Sequence, residues 1–239
     1  MVANRDESIK ADEGVFDAYL AVPDLVPAPG IILLQEVFGV NDNMRGLADS
    51  LAEAGYLALV PDMFWRLQRR FESKDESGIA EGMELARRMD LGAAVTDMTA
   101  ALAHLRALPA CDGRAGGVGF CLGGKLAYLL ATSVRADGRG PDAVVSYYGS
   151  GIHEMLDQAE AIECPMMFHY GDRDPYITHE QVAAVEAAVA SRPDIAVHHY
   201  DAGHAFSNFD APSLHEREPA DLAWGRTLAF FEDHLKYPA

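Results

Sequence analysis

The chain is short of cysteine, of basic residues and of long apolar runs. Three cysteines, Cys111, Cys121 and Cys164, are an odd number at wide spacing, so neither a disulfide framework nor a paired-cysteine zinc pattern is written here. Sparse, unpaired cysteine fits a reducing, cytoplasmic compartment. No apolar run reaches the ~20 residues that cross a bilayer. Met1 to Asp12 is polar and acidic, without the apolar centre of a signal peptide. Basic residues number 19 against 37 acidic ones, a formal charge of -18. So acidic a surface repels phosphate backbones, and no nucleic acid partner is expected. Nine histidines occur without HExxH or similar spacing. His198 and His199 are adjacent and on a strand would point to opposite faces. No metal and no other cofactor is expected.

What remains is an ordinary globular composition, 49% hydrophobic and 23% charged, which excludes collagen-like and disordered classes. A chain of 239 residues hides roughly 70% of its unfolded surface. No repeat or long linker divides it, so residues 1–239 read as one domain. Short apolar runs at 30–34, 56–60, 116–120, 143–147 and 166–170 read as strands buried on both faces, and 195–200 is a further strand candidate. Helical patterns alternate with them. Met44, Leu47, Leu51 and Ala54 share a face that Gly55 ends. Leu91, Val95, Met98, Leu102 and Leu105 make a second stripe. Thr178 and Gln181 have capping-box spacing ahead of Val182, Val185 and Val189, and Trp224, Leu228, Phe231 and Leu235 form a last apolar face. This alternation predicts an α/β fold, a mostly parallel central sheet with helices on both faces. Chemistry in such sheets lies beyond the C-terminal strand ends.

One such end carries Gly119-Phe120-Cys121-Leu122-Gly123, a G-x-Nuc-x-G turn between a strand and a helix. The helix N-terminus favours a thiolate at Cys121, and the Leu122 N–H can donate to an oxyanion. Two plainer readings stand beside this one. A glycine-rich turn can bind phosphate, though Leu122 breaks GxGxxG and no Walker sequence follows. A buried structural cysteine is the other. Downstream, Asp174 follows the strand at 166–170 and His204 the strand at 195–200. Their order after Cys121 is nucleophile, acid, histidine, as in α/β-hydrolases.

Stretches 35–41 (QEVFGVN), 119–124 (GFCLGG), 147–149 (YYG), 168–174 (FHYGDRD) and 202–206 (AGHAF) resemble the dienelactone hydrolase (carboxymethylenebutenolidase) family of the α/β-hydrolase fold. The resemblance implies Cys121 as nucleophile, His204 as base and Asp174 as its orienting acid, with Asp172 the competitor for the last role. It also implies Glu36 as a carboxylate beside the thiol and the Val37 N–H as a second oxyanion donor. A charge idle at the end of an apolar strand would be costly, which supports a working Glu36. Phe38, Phe206, Tyr148 and Tyr176 are expected as pocket walls, or else as ordinary core.

Thiol chemistry narrows the substrate. A tetrahedral intermediate expels its better leaving group, and a thiolate (free-thiol pKa ~8.5) leaves more readily than an alkoxide. Enol lactones, thioesters and aryl esters are therefore suitable, and plain alkyl esters and amides are not. The family's two carboxylate-holding arginines are missing. Asn208 and Ile79 occupy those positions, with no arginine near the latter before Arg87. Arg66, Arg69, Arg70 and Lys74 either replace them or form a solvated helix face beside Phe64, Trp65 and Phe71, and residues 62–90 can partly cover the site. Cys111, in a loop, and Cys164 read as structural.

The expected function is a cysteine-dependent hydrolase of enol lactones or similarly activated esters, working through an acyl-thioester on a small-molecule ester or lactone. Two alternatives are a broad carboxylesterase or thioesterase with another substrate, and a non-catalytic thiol-based ligand binder or redox sensor.

Overall fold

The computed structural model describes residues 3–74 and 76–237. Eight strands form one sheet: β1 (Ala3–Ala11), β2 (Gly14–Val22), β3 (Ala28–Leu34), β4 (Leu57–Pro61), β5 (Cys111–Phe120), β6 (Val144–Tyr147), β7 (Met166–Gly171) and β8 (Ile195–Tyr200). Six helices flank them: α1 (Asp42–Glu53), α2 (Ile79–Arg88), α3 (Leu91–Ala107), α4 (Leu122–Ser133), α5 (His179–Val189) and α6 (Arg217–Phe231). The spatial order is β1-β2-β4-β3-β5-β6-β7-β8. Only β2 runs against the rest, pairing antiparallel with β1 and β4. All seven residues of β3 and all five of β4 are buried, as expected for strands covered on both faces.

Each apolar run expected as a strand lies in one, with ends shifted by a few residues. Gly55 (φ +92) follows α1, and Thr178 with Gln181 closes a complete capping box on α5. β1 and β2 have no counterpart in the sequence reading. Their inward residues Ile9, Ala11, Phe16, Ala18 and Leu20 recur every second position; the remaining residues of β1 are mostly polar, and in β2 Val15, Tyr19 and Ala21 flank the inward ones and blur the alternation. Cys111 opens β5 rather than standing in a loop, because it pairs with Ala28 of β3.

Residues 62–70 make turns, not the helix face expected for the basic cluster. Asp62 is the reason: its carboxylate accepts from the backbone N–H of Phe64 at 3.0 Å and of Arg70 at 2.7 Å, closing a loop.

Topology places the site. From β3 the chain goes outward to β4, then returns to β5 on the other side of β3. The loops after β3 and β5 thus diverge, and a crevice opens where the winding reverses. Gln35-Glu36-Val37 and Cys121 stand at its edges.

Candidate active site

The turn from β5 into α4 is built by close approach. A Cβ on Gly119 would lie 1.9 Å from the Gly123 carbonyl oxygen, and one on Gly123 would lie 2.1 Å from that of Leu34. Only glycine lets the turn close so tightly against β3. Between these glycines Cys121 has φ 53 and ψ -112, a region that L-residues rarely occupy. Such strain costs about 1–3 kcal/mol and persists because the surroundings impose it. It lifts the Cys121 side chain above the sheet at the α4 N-terminus, where the thiol borders an open cleft.

His204 and Asp174 come together from adjacent strands, β8 and β7. The imidazole Nδ1 is 2.6 Å from Asp174 Oδ2. Asp174 is held in turn by the N–H groups of Tyr176 (2.8 Å) and Ile177 (3.3 Å), both on its Oδ1. Burial opposes charge on the His204 ring. Cys121 and Asp174, through charge and hydrogen bonding, outweigh that and hold its pKa well above the ordinary value. Asp172 points elsewhere and pairs with His199 at 3.0 Å. The competitor for the acid position is thereby placed with a different histidine.

Glu36 is 1% exposed. Burial raises its pKa to about 7, against the lowering effect of the His204 charge and of hydrogen bonds from Asn208 and Tyr148. Asn208 Nδ2 donates to one carboxylate oxygen and the Tyr148 hydroxyl, at 3.5 Å, to the other. Asn208 is therefore a support for Glu36, buried behind the cleft rather than lining it. Tyr148 and Phe206 likewise differ from their expected place as pocket walls. Both are fully buried, with their rings 5.2 Å apart, and Tyr148 backs the imidazole at 5.1 Å. An aromatic layer under the site is the more favourable use of such large apolar rings. Phe38 and Tyr176 do border the cleft. Tyr176 is 64% exposed at its rim and presents its ring edge-on to His204.

The cleft has two lobes that share Val37, Met83, Cys121 and Ser150. One, of about 180 Å³, is walled chiefly by Phe38, Ile79, Met83 and Leu214, with Glu36 and His204 at its base. The other, of about 320 Å³, runs between α2 and the start of α4. Helix α2 covers the crevice by pressing on the backbone of Val37. A Cβ on its Gly82 would lie 2.0 Å from the Val37 carbonyl oxygen. Val37 and Leu122, the two residues expected to supply oxyanion donors, both border the second lobe beside Cys121.

The basic cluster turns away from the cleft. Arg66 binds buried Asp97 at 2.8 and 2.9 Å, Arg70 binds Asp17 at 2.7 Å, and Arg69 donates to the Val15 carbonyl at 2.9 Å. Lys74 lies 3.9 Å from Asp42. Arg66 and Arg69 also stack on Trp65. None of the four borders the lobes around Cys121. Cys164 is buried, which pushes its thiol up to about 12 and leaves it unreactive, and Cys111 is half-buried with its thiol raised by the same cause. Sequence reasoning missed Met83, Leu214, Ser150 and Lys125 as cleft residues. Only Lys125 carried a signal, standing in the first turn of the helix that follows Cys121.

A strained thiol on a strand-to-helix turn, an imidazole braced by a carboxylate and a crevice at the winding reversal define a hydrolase of the α/β-hydrolase fold. The dienelactone hydrolase family model matches residues 16–235, and the chain belongs to that family. It is 36% identical to a carboxymethylenebutenolidase of a Pseudomonas strain over 217 residues, covering 90% of this chain and 89% of that one. It is 32% identical to carboxymethylenebutenolidase 1 of Cupriavidus pinatubonensis over 230 residues, covering 95% and 96%. A crystal structure from Klebsiella pneumoniae, described as a candidate dienelactone hydrolase, superposes with TM-score 0.87 at 26% identity over 98% of this chain and 99% of the other. The protein is thus an enzyme of the class that hydrolyses carboxylic ester or lactone bonds. Among the described residues no helix is long and apolar enough to cross a membrane.

Proposed function

We propose that Cys121 is the nucleophile of a hydrolase for enol lactones and similarly activated esters, acting through an acyl-thioester. The observation that carries this reading is the line from Asp174 through His204 to Cys121, with its 2.6 Å carboxylate–imidazole contact. Cys121 sulfur attacks the carbonyl carbon, and the thiol proton passes to His204, whose hold on it is strengthened by Asp174. The oxyanion is received by the Leu122 and Val37 N–H groups. Collapse expels the enolate or phenolate, which takes the proton from His204. Water then attacks the acyl-thioester and gives a proton to His204. The second collapse frees the carboxylic acid and the Cys121 sulfur, which regains that proton. Glu36, with a pKa of about 7 beside this centre, changes charge near neutral pH. That suits a group that exchanges a proton as substrate enters.

A second reading has a specific observation behind it. Where the family's arginines would hold a carboxylate, this chain has Ile79 on an apolar wall and Asn208 tied to Glu36. That favours an ester other than a dienelactone held in the family manner. All three cysteines are free, which agrees with a reducing, cytoplasmic setting.

The test is hydrolysis of a phenyl ester and of a carboxylated dienelactone by wild type and by Cys121→Ala, with folding checked by circular dichroism. Loss of turnover on both substrates in a folded variant is expected. Hydrolysis that persists in the variant would overturn the nucleophile.

A further inference from the structure

The lobe between α2 and α4 has a charge character opposite to the rest of the molecule. Arg87 and Lys125 stand on its wall, and no Asp or Glu borders it. The chain holds 37 acidic residues against 19 basic ones, so an acid-free wall with two cations beside the thiol runs against the composition. Lys125 is the more telling of the two. It sits four residues after Cys121, its N–H donates to the Cys121 carbonyl at 3.2 Å, and both residues border this lobe. Its ammonium lies beside Gly151 and is half-buried. Among the described residues it forms no ion pair, although a Glu154 carboxylate oxygen also lies near that glycine. Arg87 is 69% exposed at the rim and pairs with Glu84 at 2.8 Å, an exposed contact of little strength that a ligand anion can replace.

The position of His204 orients the substrate. It must protonate the departing oxygen, so the leaving group lies on its side of the cleft. His204 borders only the apolar lobe. The acyl chain then extends from Cys121 into the lobe that holds Lys125. One unpaired ammonium matches a monoanion.

We propose that Lys125, with Arg87 at the rim, forms an anion subsite for the acyl chain, and that the preferred substrates are activated monoesters of short dicarboxylic acids. The proposal rests on Cys121 being the nucleophile. It places the substrate carboxylate in the lobe of Arg87 and Lys125, not in the lobe that Ile79 borders.

The experiment compares kcat/KM for monophenyl glutarate and for uncharged phenyl hexanoate. In Lys125→Met the ratio of charged to uncharged ester should fall about tenfold, as expected for one charge-assisted contact, and the loss should lie in KM. Lys125→Arg should restore most of the ratio. Arg87→Gln should lower it about threefold, in keeping with its exposure. Lys10→Met, an exposed charge on β1, controls for net charge and should leave the ratio unchanged. A ratio unaltered in Lys125→Met, or an equal fall on both esters, would overturn the subsite. Cys121→Ala on phenyl hexanoate separates the two failures. Hydrolysis surviving there refutes the nucleophile, whereas its loss together with an unmoved Lys125→Met ratio refutes the anion subsite alone.

Discussion

Replacing Glu36 by glutamine should make the protein more resistant to unfolding at alkaline pH and give little advantage at acid pH. The carboxyl is enclosed, and burial lifts its pKa from 4.5 to about 7. Between those values the folded protein keeps a proton that the unfolded chain releases, so stability falls as pH rises through the window and levels off above it. The cost above the window is roughly 3 kcal/mol, taking about 1.36 kcal/mol for each pH unit. Glutamine has the same shape and no charge to desolvate. Its carbonyl oxygen can still accept from Asn208, and whatever its altered contacts with Tyr148 cost does not depend on pH. The difference between variant and wild type therefore isolates the carboxyl. It should shift by roughly 2.5 kcal/mol in the variant's favour between about pH 5 and about pH 8. Urea unfolding of both proteins at the two pH values, extrapolated linearly to water, measures it. A difference that stays constant would show that Glu36 titrates alike folded and unfolded. The argument from its burial would then fail.

Three further perturbations probe the site's construction. Cys121→Gly should lack turnover as Cys121→Ala does, yet be more stable than that variant by about 1 kcal/mol, since glycine accepts φ 53 without strain; equal melting of the two would refute stored strain. Asp174→Asn should lower kcat by about three to four orders of magnitude, while Asp172→Asn, which pairs with His199 instead, should change it less than about twofold; the reverse order would exchange their roles. Gly82→Ala should lift α2 from Val37 and lower kcat about ten- to hundredfold, with a smaller change in KM, as expected when an oxyanion donor is displaced. An unchanged kcat in that variant would mean that Val37 is held without α2.

By itself the sequence determined the class of sheet, because strands buried on both faces must be continuous apolar runs and their helices must show one apolar face. It also determined the turn around Cys121. The glycines there have no substitute, since the backbone passes within about 2 Å of where their side chains would be. The chain order of Cys121, Asp174 and His204 is likewise written in one dimension. Tertiary structure decided everything that depends on which loops meet. Asp172 and Asp174 are nearly equivalent along the chain, and only the reach of the loops after β7 and β8 sends one to His204 and the other to His199. Tyr148 and Phe206, aromatic residues beside the site in sequence, became its floor because the layer beneath the imidazole could bury them fully. Arg66, Arg70 and Lys74 turned toward acidic partners on α3, β2 and α1, and Arg69 toward a backbone carbonyl of β2. Lys125 and Arg87, from helices distant in sequence, were brought to the same side of Cys121. Periodicity and backbone sterics are local and leave their mark on neighbouring residues. Charge pairing and cleft shape arise between segments far apart in the chain, and only packing selects among the partners available.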